Sequence, residues 1–527
     1  MNLSKSLYTR GLQCEKSLWL KKYRKDLLTP PDESTQAIFE TGNRVGELAC
    51  ELFPGGVKVP FDSSDYEGMI EKTKKLIDSN ITNIYEASFS YDNIFVAIDI
   101  LHINKDKSVE IYEVKSSTEV KDVYLHDTSI QYYVLNGIGF NVKKVSIVHL
   151  NNRYVRGDEL EIDKLFTIAD VTDEVKELQD EIPKNLKGFR RVLSDKNNEP
   201  QIDIGKHCSN PYECDAVEYC WRHIPEYSIF NISRLKSDKK FELYRQGVVN
   251  FEDIPDISTF SPAQQIQIRS ELTKEEIIDK EAIREFIESL YYPLYHLDFE
   301  TFQQAIPEYK GISPFMQIPF QYSLHIEQKD GKLEHKEFLA EDGADPRYEL
   351  AKHLVNDIPT DVTVLAYNMG FEKGVIKRLA EEFDEFRDHL LCIYDNIQDL
   401  MTPFQKRHYY TPKMRGSYSI KYVLPALVPE MAEAYKKLES VQNGGDAMRT
   451  FAQLSEIEDE KEKARLREAL LRYCELDTLA MVKVLEKLRE VANETRFVYV
   501  CSNCETEYVY FEKMNVIKCE FCGCDIK

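Results

Sequence analysis

The run His296-Leu297-Asp298-Phe299-Glu300-Thr301 decides how the larger part of this chain reads. It reads as a buried strand that carries two carboxylates two residues apart. Side chains alternate across a strand, so Asp298 and Glu300 face the same way and can share one divalent cation. Far downstream, Tyr473-Cys474-Glu475-Leu476-Asp477 lies inside a long helical pattern. There the i,i+4 spacing puts Tyr473 and Asp477 on one helix face. Between the two, Tyr367-Asn368-Met369-Gly370-Phe371-Glu372 ends an apolar strand and opens a helix.

Clustered carboxylates in such places suit phosphodiester hydrolysis. The reaction needs a nucleophilic water, neutralised charge on the scissile phosphate and help for the leaving oxygen, and two metal ions about 3.5–4 Å apart provide all three. Asp298 and Asp477, with Glu300 beside them, are the first candidate ligands. The three motifs, in this order, resemble those of DEDD-type 3′→5′ exonucleases. The resemblance is to the subclass with a tyrosine four residues before the last aspartate, and it implies that Tyr473 orients or deprotonates the attacking water. Glu372 stands where that family has aspartate, and Asn368 is the other candidate of the second motif. From about Pro293 to Ala492 the order strand, hairpin, helix, strand, helix, closed by a long charged helix from about Ile457, fits an RNase H-like α/β domain.

Upstream, residues 1 to about 225 read as a mixed α/β unit. Helical patterns cover about Thr35–Leu52, Tyr66–Ser79 and Tyr124–Gly137, with strands near Ile84–Phe89, Ile94–Ile103, Ser108–Lys115 and Lys144–Leu150. Asp99 ends one apolar strand, and Glu113 and Lys115 share a face of the next. This segment resembles the core of PD-(D/E)xK nucleases of the RecB-like type. The resemblance implies metal ligands at Glu86, Asp99 and Glu113, a lysine (Lys115) that positions water or stabilises phosphorane charge, and Gln131 in the following helix. The histidine that iron–sulfur members carry in their first helix is missing from Thr41-Gly42-Asn43-Arg44-Val45-Gly46.

The twelve cysteines sort into groups. Cys208, Cys214 and Cys220 follow the first domain and Cys14 lies near its start. One upstream and three downstream resembles the iron–sulfur RecB-like nucleases of CRISPR adaptation and AddB type, which implies a [4Fe–4S] cluster as a structural staple. Zinc, with His207 or His223 helping, is the alternative. Near the other end, Cys501/Cys504 and Cys519/Cys522 form two C-x2-C knuckles whose spacing suits a tetrahedral Zn²⁺ site, with Glu505–Lys518 alternating as a β-hairpin would. Cys50, Cys392 and Cys474 read as ordinary buried or half-buried thiols.

The expected fold is therefore α/β and multidomain. A PD-(D/E)xK nuclease-like domain spans 1–225, a helical connecting module 226–290, an RNase H-like domain 291–494 and a zinc ribbon 495–527. Hydrophobic residues at 43% suffice for cores, while a net charge of −23 argues against a general electrostatic grip on nucleic acid and leaves local basic runs such as Lys21 to Lys25, Lys184 to Arg191, Lys406-Arg407 and Lys413 to Arg415. No apolar run spans a membrane, metal-type cysteine spacing suits a reducing cell, and a cytoplasmic location is expected. The expected activity is exonucleolytic hydrolysis of single-stranded DNA from the 3′ end with Mg²⁺ or Mn²⁺, DNA being taken from the RecB-like resemblance. Absence of a P-loop leaves any unwinding to a helicase or a repair or defence partner. Two alternatives stand: an RNA exonuclease whose first domain only grips the strand, and a catalytically degenerate binding or assembly module.

Overall fold

A computed structural model of the chain describes residues 3–493 and, beyond them, the backbone of strands Phe497–Val500, Glu507–Tyr510, Ile517–Lys518 and Asp525–Ile526. The first of these pairs with the second and the third with the fourth; the hairpin expected over 505–518 lies largely outside the described residues. The knuckle cysteines Cys501, Cys504, Cys519 and Cys522 lie outside the described residues.

The chain divides into two compact units. Unit 1 takes Met1–Ser228, Lys236–Val249 and Gln303–Gln317; unit 2 takes Ile229–Leu235, Asn250–Phe302 and the remainder from Ile318. The stretch 226–290, read from sequence as a module of its own, is shared between them.

Unit 1 is built on a seven-stranded mixed sheet. Its elements are β1 (Leu3–Ser4), α1 (Lys5–Gln13), α2 (Glu15–Tyr23), α3 (Glu33–Ala49), β2 (Val57–Lys58), α4 (Tyr66–Asp78), β3 (Asn83–Tyr91), β4 (Ile94–Ile103), β5 (Val109–Lys115), α5 (Asp122–Gly137), β6 (Val142–Leu150), β7 (Phe166–Asp170) and α6 (Ile182–Ser194). The strand order is β2-β3-β4-β5-β6-β7, with β1 pairing β4 in parallel. The central strands are near-continuous apolar runs because helices cover both faces. Val96, Ile98, Ile111 and Ile147 pack under Met69 of α4, Ile130 and Val134 of α5 and Phe189 of α6. Ile100, Tyr112 and Val148 meet Val45 and Ala49 of α3 on the other face. Fully burying one such aliphatic side chain is worth about 1.5–3 kcal/mol, so these two apolar layers, more than any polar contact, fix the stacking. Helix starts follow their caps: Ser4, Asp32 and Asp65 accept from the backbone N–H of Leu7, Thr35 and Gly68.

Unit 2 holds a five-stranded mixed sheet with β8 (Leu294–Gln303) in the middle. β9 (Gln317–Glu327) and β10 (Leu333–Leu339) follow as an antiparallel hairpin, then α7 (Arg347–Asp357), β11 (Thr363–Ala366), α8 (Gly370–Glu382) and β12 (Ile397–Asp399). The order is β10-β9-β8-β11-β12, with β11 parallel to both its neighbours. Three further helices matter for the site: α9 (Pro429–Lys436), α10 (Gly444–Gln453) and the 34-residue α11 (Glu460–Asn493). Leu476, Ala480, Met481 and Val484 form the buried stripe of α11. No helix among the described residues is long and apolar enough to cross a membrane.

Candidate functional site

β8 presents Asp298 and Glu300 to one face, as their separation requires, and α11 lays Asp477 across it. One oxygen from each of the three carboxylates lies within 4.8 Å of the others. Glu300 is 8% exposed and Glu372, from the first turn of α8, only 2%. Among the described residues no lysine or arginine forms an ion pair with any of these four carboxylates. Their affinity for protons rises accordingly. Burial, then the charges of Asp477, Glu300 and Glu372, push Asp298 well above the usual carboxylate range. Burial and Asp477 push Glu300 up to about 8. Burial and Asp399 push Glu372 up to about 8, although its backbone hydrogen bond pulls the other way. Burial also lifts Asp477, but only to about 6, because two tyrosine hydroxyls donate to it and the Lys421 charge acts on it.

Those hydroxyls belong to Tyr473, one turn earlier on α11, and to Tyr435 of α9, whose oxygen lies 2.6 Å from Asp477 Oδ1. The two rings meet edge-on with centroids 6.3 Å apart. Tyr473 was legible in the sequence; Tyr435 was not, since nothing in its helix marks it. Gly444, at the start of α10, closes over the site from another side, where a Cβ would stand 3.6 Å from Glu300 Oε2.

A ladder of polar side chains along β9 holds α11 in place. Gln321 Nε2 donates to the Leu470 carbonyl (2.9 Å), Ser323 and His325 reach the Thr478 hydroxyl (both 2.7 Å), and Arg489 reaches Glu327 Oε1 (2.5 Å). His296 of β8 completes the last contact at 3.2 Å from Glu327. Residues 321, 323, 325 and 327 alternate to one face, so a polar Gln-x-Ser-x-His-x-Glu pattern in a buried strand was the available signal. Its effect is to fix Asp477 over β8.

Glu372 is not one of the three carboxylates that meet within 4.8 Å. It lies close enough for its charge to act on Asp298, and its Oε2 is buried without a hydrogen-bond partner. Asn368 adopts φ 70°, and its N–H donates to Asp399 Oδ1, which orders the turn ahead of α8. Of the basic runs, Arg407 is 4% exposed, donates to the Gly416 carbonyl and stacks on Tyr410, so it serves packing.

Unit 1 gathers its expected residues where β4 and β5 part. The ladder ends at Ile100 opposite Tyr112, and beyond it Asp99 Oδ2 accepts from the Val114 N–H at 2.7 Å. Glu113 is buried; Lys115 donates to its Oε1 (2.8 Å) and Gln131 to its Oε2 (2.6 Å). Two residues absent from the sequence reading join them. Lys5, the first residue of α1, donates to the same Glu113 oxygen at 2.6 Å, and Asp127 of α5 binds Lys115 at 2.5 Å. Burial lifts Asp99 to about 7, helped by the Glu113 charge and opposed by the lysines. Glu86, where the β3–β4 register skips between Tyr85 opposite Ile100 and Ala87 opposite Ile98, sits at φ 59°, and burial raises it too. Glu86, Asp99 and Glu113 do not offer oxygens within 4.8 Å of one another, in contrast to the unit 2 carboxylates.

Cys14, Cys208, Cys214 and Cys220 line one cavity with Ser17, Ile204 and His207. All four are free thiols. No three of their sulfurs come within 4.8 Å of each other among the described residues. Gln13 ties the cysteine loop to α1 by donating to the carbonyls of His207 (2.8 Å) and Tyr212 (2.7 Å). His223, the other histidine considered for zinc, is engaged by Tyr244 at 2.9 Å. Cys474 is buried, 4.0 Å from Asp298 Oδ2, and Cys50 is half-buried; Cys392, expected to be covered, is exposed because the helix Arg387–Asp395 turns Leu390 and Ile393 inward instead.

Comparison with known proteins adds a family description without an activity. Residues 295–419 match the family described as "Domain of unknown function (DUF2779)". The chain is similar to "Uncharacterized protein UU173" of Ureaplasma parvum, at 26% identity over 227 residues, covering 38% of this chain and 32% of that protein. It is also similar to "Uncharacterized protein MG366 homolog" of Mycoplasma pneumoniae, at 27% over 206 residues, covering 36% and 31%. The chain thus spans about a third of the length of the curated relatives it matches.

Proposed function

We propose that unit 2 hydrolyses phosphodiester bonds in single-stranded nucleic acid, as a divalent-metal-dependent 3′→5′ exonuclease acting on DNA. One observation carries the reading: Asp298, Glu300 and Asp477, half-buried or buried, converge within 4.8 Å, and among the described residues no lysine or arginine forms an ion pair with them, Lys421 acting on Asp477 only from beyond ion-pair distance. Carboxylate oxygens are hard donors, so the set fits Mg²⁺ or Mn²⁺. The orphaned Glu372 Oε2 is a further oxygen that fits a cation there. Bound ions of this class activate water and neutralise charge on the phosphate. The charges of Asp477, Glu300 and Glu372 all act on Asp298, Tyr473 and Tyr435 hold Asp477, and the resemblance to DEDD exonucleases gives Tyr473 the orienting of the attacking water. The polarity comes from the resemblance of the three motifs to DEDD exonucleases, and the preference for DNA from the RecB-like resemblance of unit 1. A second reading, in which unit 1 grips the strand without cutting it, is favoured by the Lys5–Glu113 contact and is compatible with RNA as substrate.

Degradation of 5′- and 3′-labelled DNA and RNA strands in Mn²⁺ tests the proposal. Mononucleotides should leave the 3′ end of DNA first. Intact strands with the wild type would replace the enzyme reading by the binding or assembly module.

The cysteine cavity supports a [4Fe–4S] staple over a single zinc. Four thiolates around one Zn²⁺ at about 2.3 Å would bring their sulfurs roughly 3.8 Å apart, whereas wider-set thiols suit a group that carries its own iron and sulfide between them. Cys208→Ser should strip iron and brown colour and lower the melting of unit 1 by about 3 °C, a loss of roughly 1 kcal/mol. Colourless wild type prepared without air, with one zinc in unit 1, would refute the cluster. The ribbon Zn²⁺ remains part of the same proposal, on the spacing of its knuckles alone.

A further inference from the structure

The two units gather carboxylates in different company: in unit 1 two ammonium groups form ion pairs with them, in unit 2 none does among the described residues. In unit 2 three carboxylates meet, with Glu372 near them, and among the described residues none forms an ion pair with a lysine or arginine. In unit 1, Glu113 and Asp127 face Lys5 and Lys115, and the Asp99 and Glu86 carboxyls lie close enough for their charges to act on the same group. Lys5 Nζ stands 2.6 Å from Glu113 Oε1 and 3.6 Å from Asp127 Oδ2. Lys115 Nζ stands 2.8 and 2.5 Å from the same two atoms.

We infer that the Lys5 ammonium is the resident cation of unit 1, filling the position on Glu113 where the resemblance to RecB-like nucleases expects a divalent ion, so that this site takes no such ion while Lys5 is in place. Three observations support it. Both Glu113 oxygens are already engaged, Oε1 by the two lysines and Oε2 by Gln131. A carboxylate so paired would have to give up charged hydrogen bonds, the strong kind, before it could ligate a metal. Lys5 is also bolted down by its neighbours. Leu3 is 1% exposed and its N–H donates to the Asn93 carbonyl at 2.9 Å, Ser4 caps α1, and Tyr8 is 1% exposed. The ammonium is therefore presented by a folded element of the sheet and not by a loose arm. Finally, with Lys5 in place, Glu86, Asp99 and Glu113 do not bring their oxygens together as the unit 2 trio does. Unit 1 then keeps the frame of a metal nuclease with an internal ammonium in the metal's place.

The test counts Mn²⁺ on the full chain by electron paramagnetic resonance and titration calorimetry, with Asp298→Asn present to weaken the unit 2 site. Adding Glu113→Gln to that chain should change Mn²⁺ binding by less than about twofold. Adding Lys5→Met should create one further Mn²⁺ site per chain, at least about tenfold tighter than any residual binding, and Glu113→Gln should remove it again. A Glu113-dependent Mn²⁺ site in the chain that retains Lys5 overturns the inference, as does a folded Lys5→Met chain that gains none. The first comparison decides the matter alone if Lys5→Met does not fold. Failure of the wild type to degrade any strand would sink the proposed function of unit 2 and leave these counts unaffected.

Discussion

Asp298→Asn is expected to lower mononucleotide release by about 10³-fold or more while leaving the fold intact. The substitution preserves size and removes one charge from the centre of the carboxylate cluster. Packing should hardly notice: the nearest neighbour of Oδ2 that forms a polar contact is the Cys474 sulfur, 4.0 Å away. Metal-held charge on a phosphoryl oxygen is worth several kcal/mol of transition-state stabilisation, and each 1.36 kcal/mol is a factor of ten. Losing about 4 kcal/mol therefore gives the stated drop. The measurement is single-turnover release from a 3′-labelled strand at saturating Mn²⁺, with circular dichroism and Mn²⁺ binding on the same preparation. Binding of Mn²⁺ should weaken in parallel, because Asp298, Glu300 and Asp477 present their oxygens as one group. A variant that keeps release within tenfold of the wild type would place the chemistry elsewhere.

The parts of this site that follow from chain periodicity were legible; those that depend on distant pairing were not. Asp298 and Glu300 lie two apart on a strand, and Tyr473 and Asp477 four apart on a helix, so regular geometry alone puts each pair on a face. β4 was read as Ile94–Ile103, the observed span, because an apolar run between turn residues has few other ways to fold. Lys5 meets Glu113 across 108 residues and Tyr435 meets Asp477 across 42, and no local pattern encodes such encounters. The same limit hid the sharing of 226–290 between the units and the assignment of Gln303–Gln317 to unit 1. That last segment joins two strands of the unit 2 sheet, yet Arg156 exchanges backbone hydrogen bonds with Gly311 and Ile312 there. Asp399 illustrates an intermediate case. Its carboxylate orders the turn before Glu372, a role that an aspartate ending a short strand permits but does not announce.

Raising the pH should weaken metal-free unit 2 and strengthen its response to Mn²⁺. Glu300 and Glu372 are pushed up to about 8, Asp477 to about 6, and Asp298 well above its ordinary value, with burial the first cause in each. Unfolded, such groups titrate near 3.9 for Asp and 4.3 for Glu. A raised carboxyl holds its proton more tightly in the folded state. Its contribution to stability is therefore complete below about pH 4 and is lost as the pH climbs through the folded values toward 8. The melting temperature of the metal-free chain should fall between pH 5.5 and 8 in the transition that Asp298→Asn alters. Over the same window Asp298→Asn should become more stable than the wild type, since it removes one of the repelling charges. Divalent ions bind the deprotonated carboxylates, so Mn²⁺ competes with protons and its effect must grow with pH. At one hundred times its dissociation constant a ligand adds about 2.7 kcal/mol, or roughly 5–10 °C for a unit of this size. That increment is expected at pH 8, shrinking to a small fraction of itself at pH 5.5. Equal Mn²⁺ shifts at both pH values, or metal-free melting that rises with pH, would mean that these carboxylates are balanced by something other than a bound cation, and the reading of unit 2 as a metal centre would fall with them.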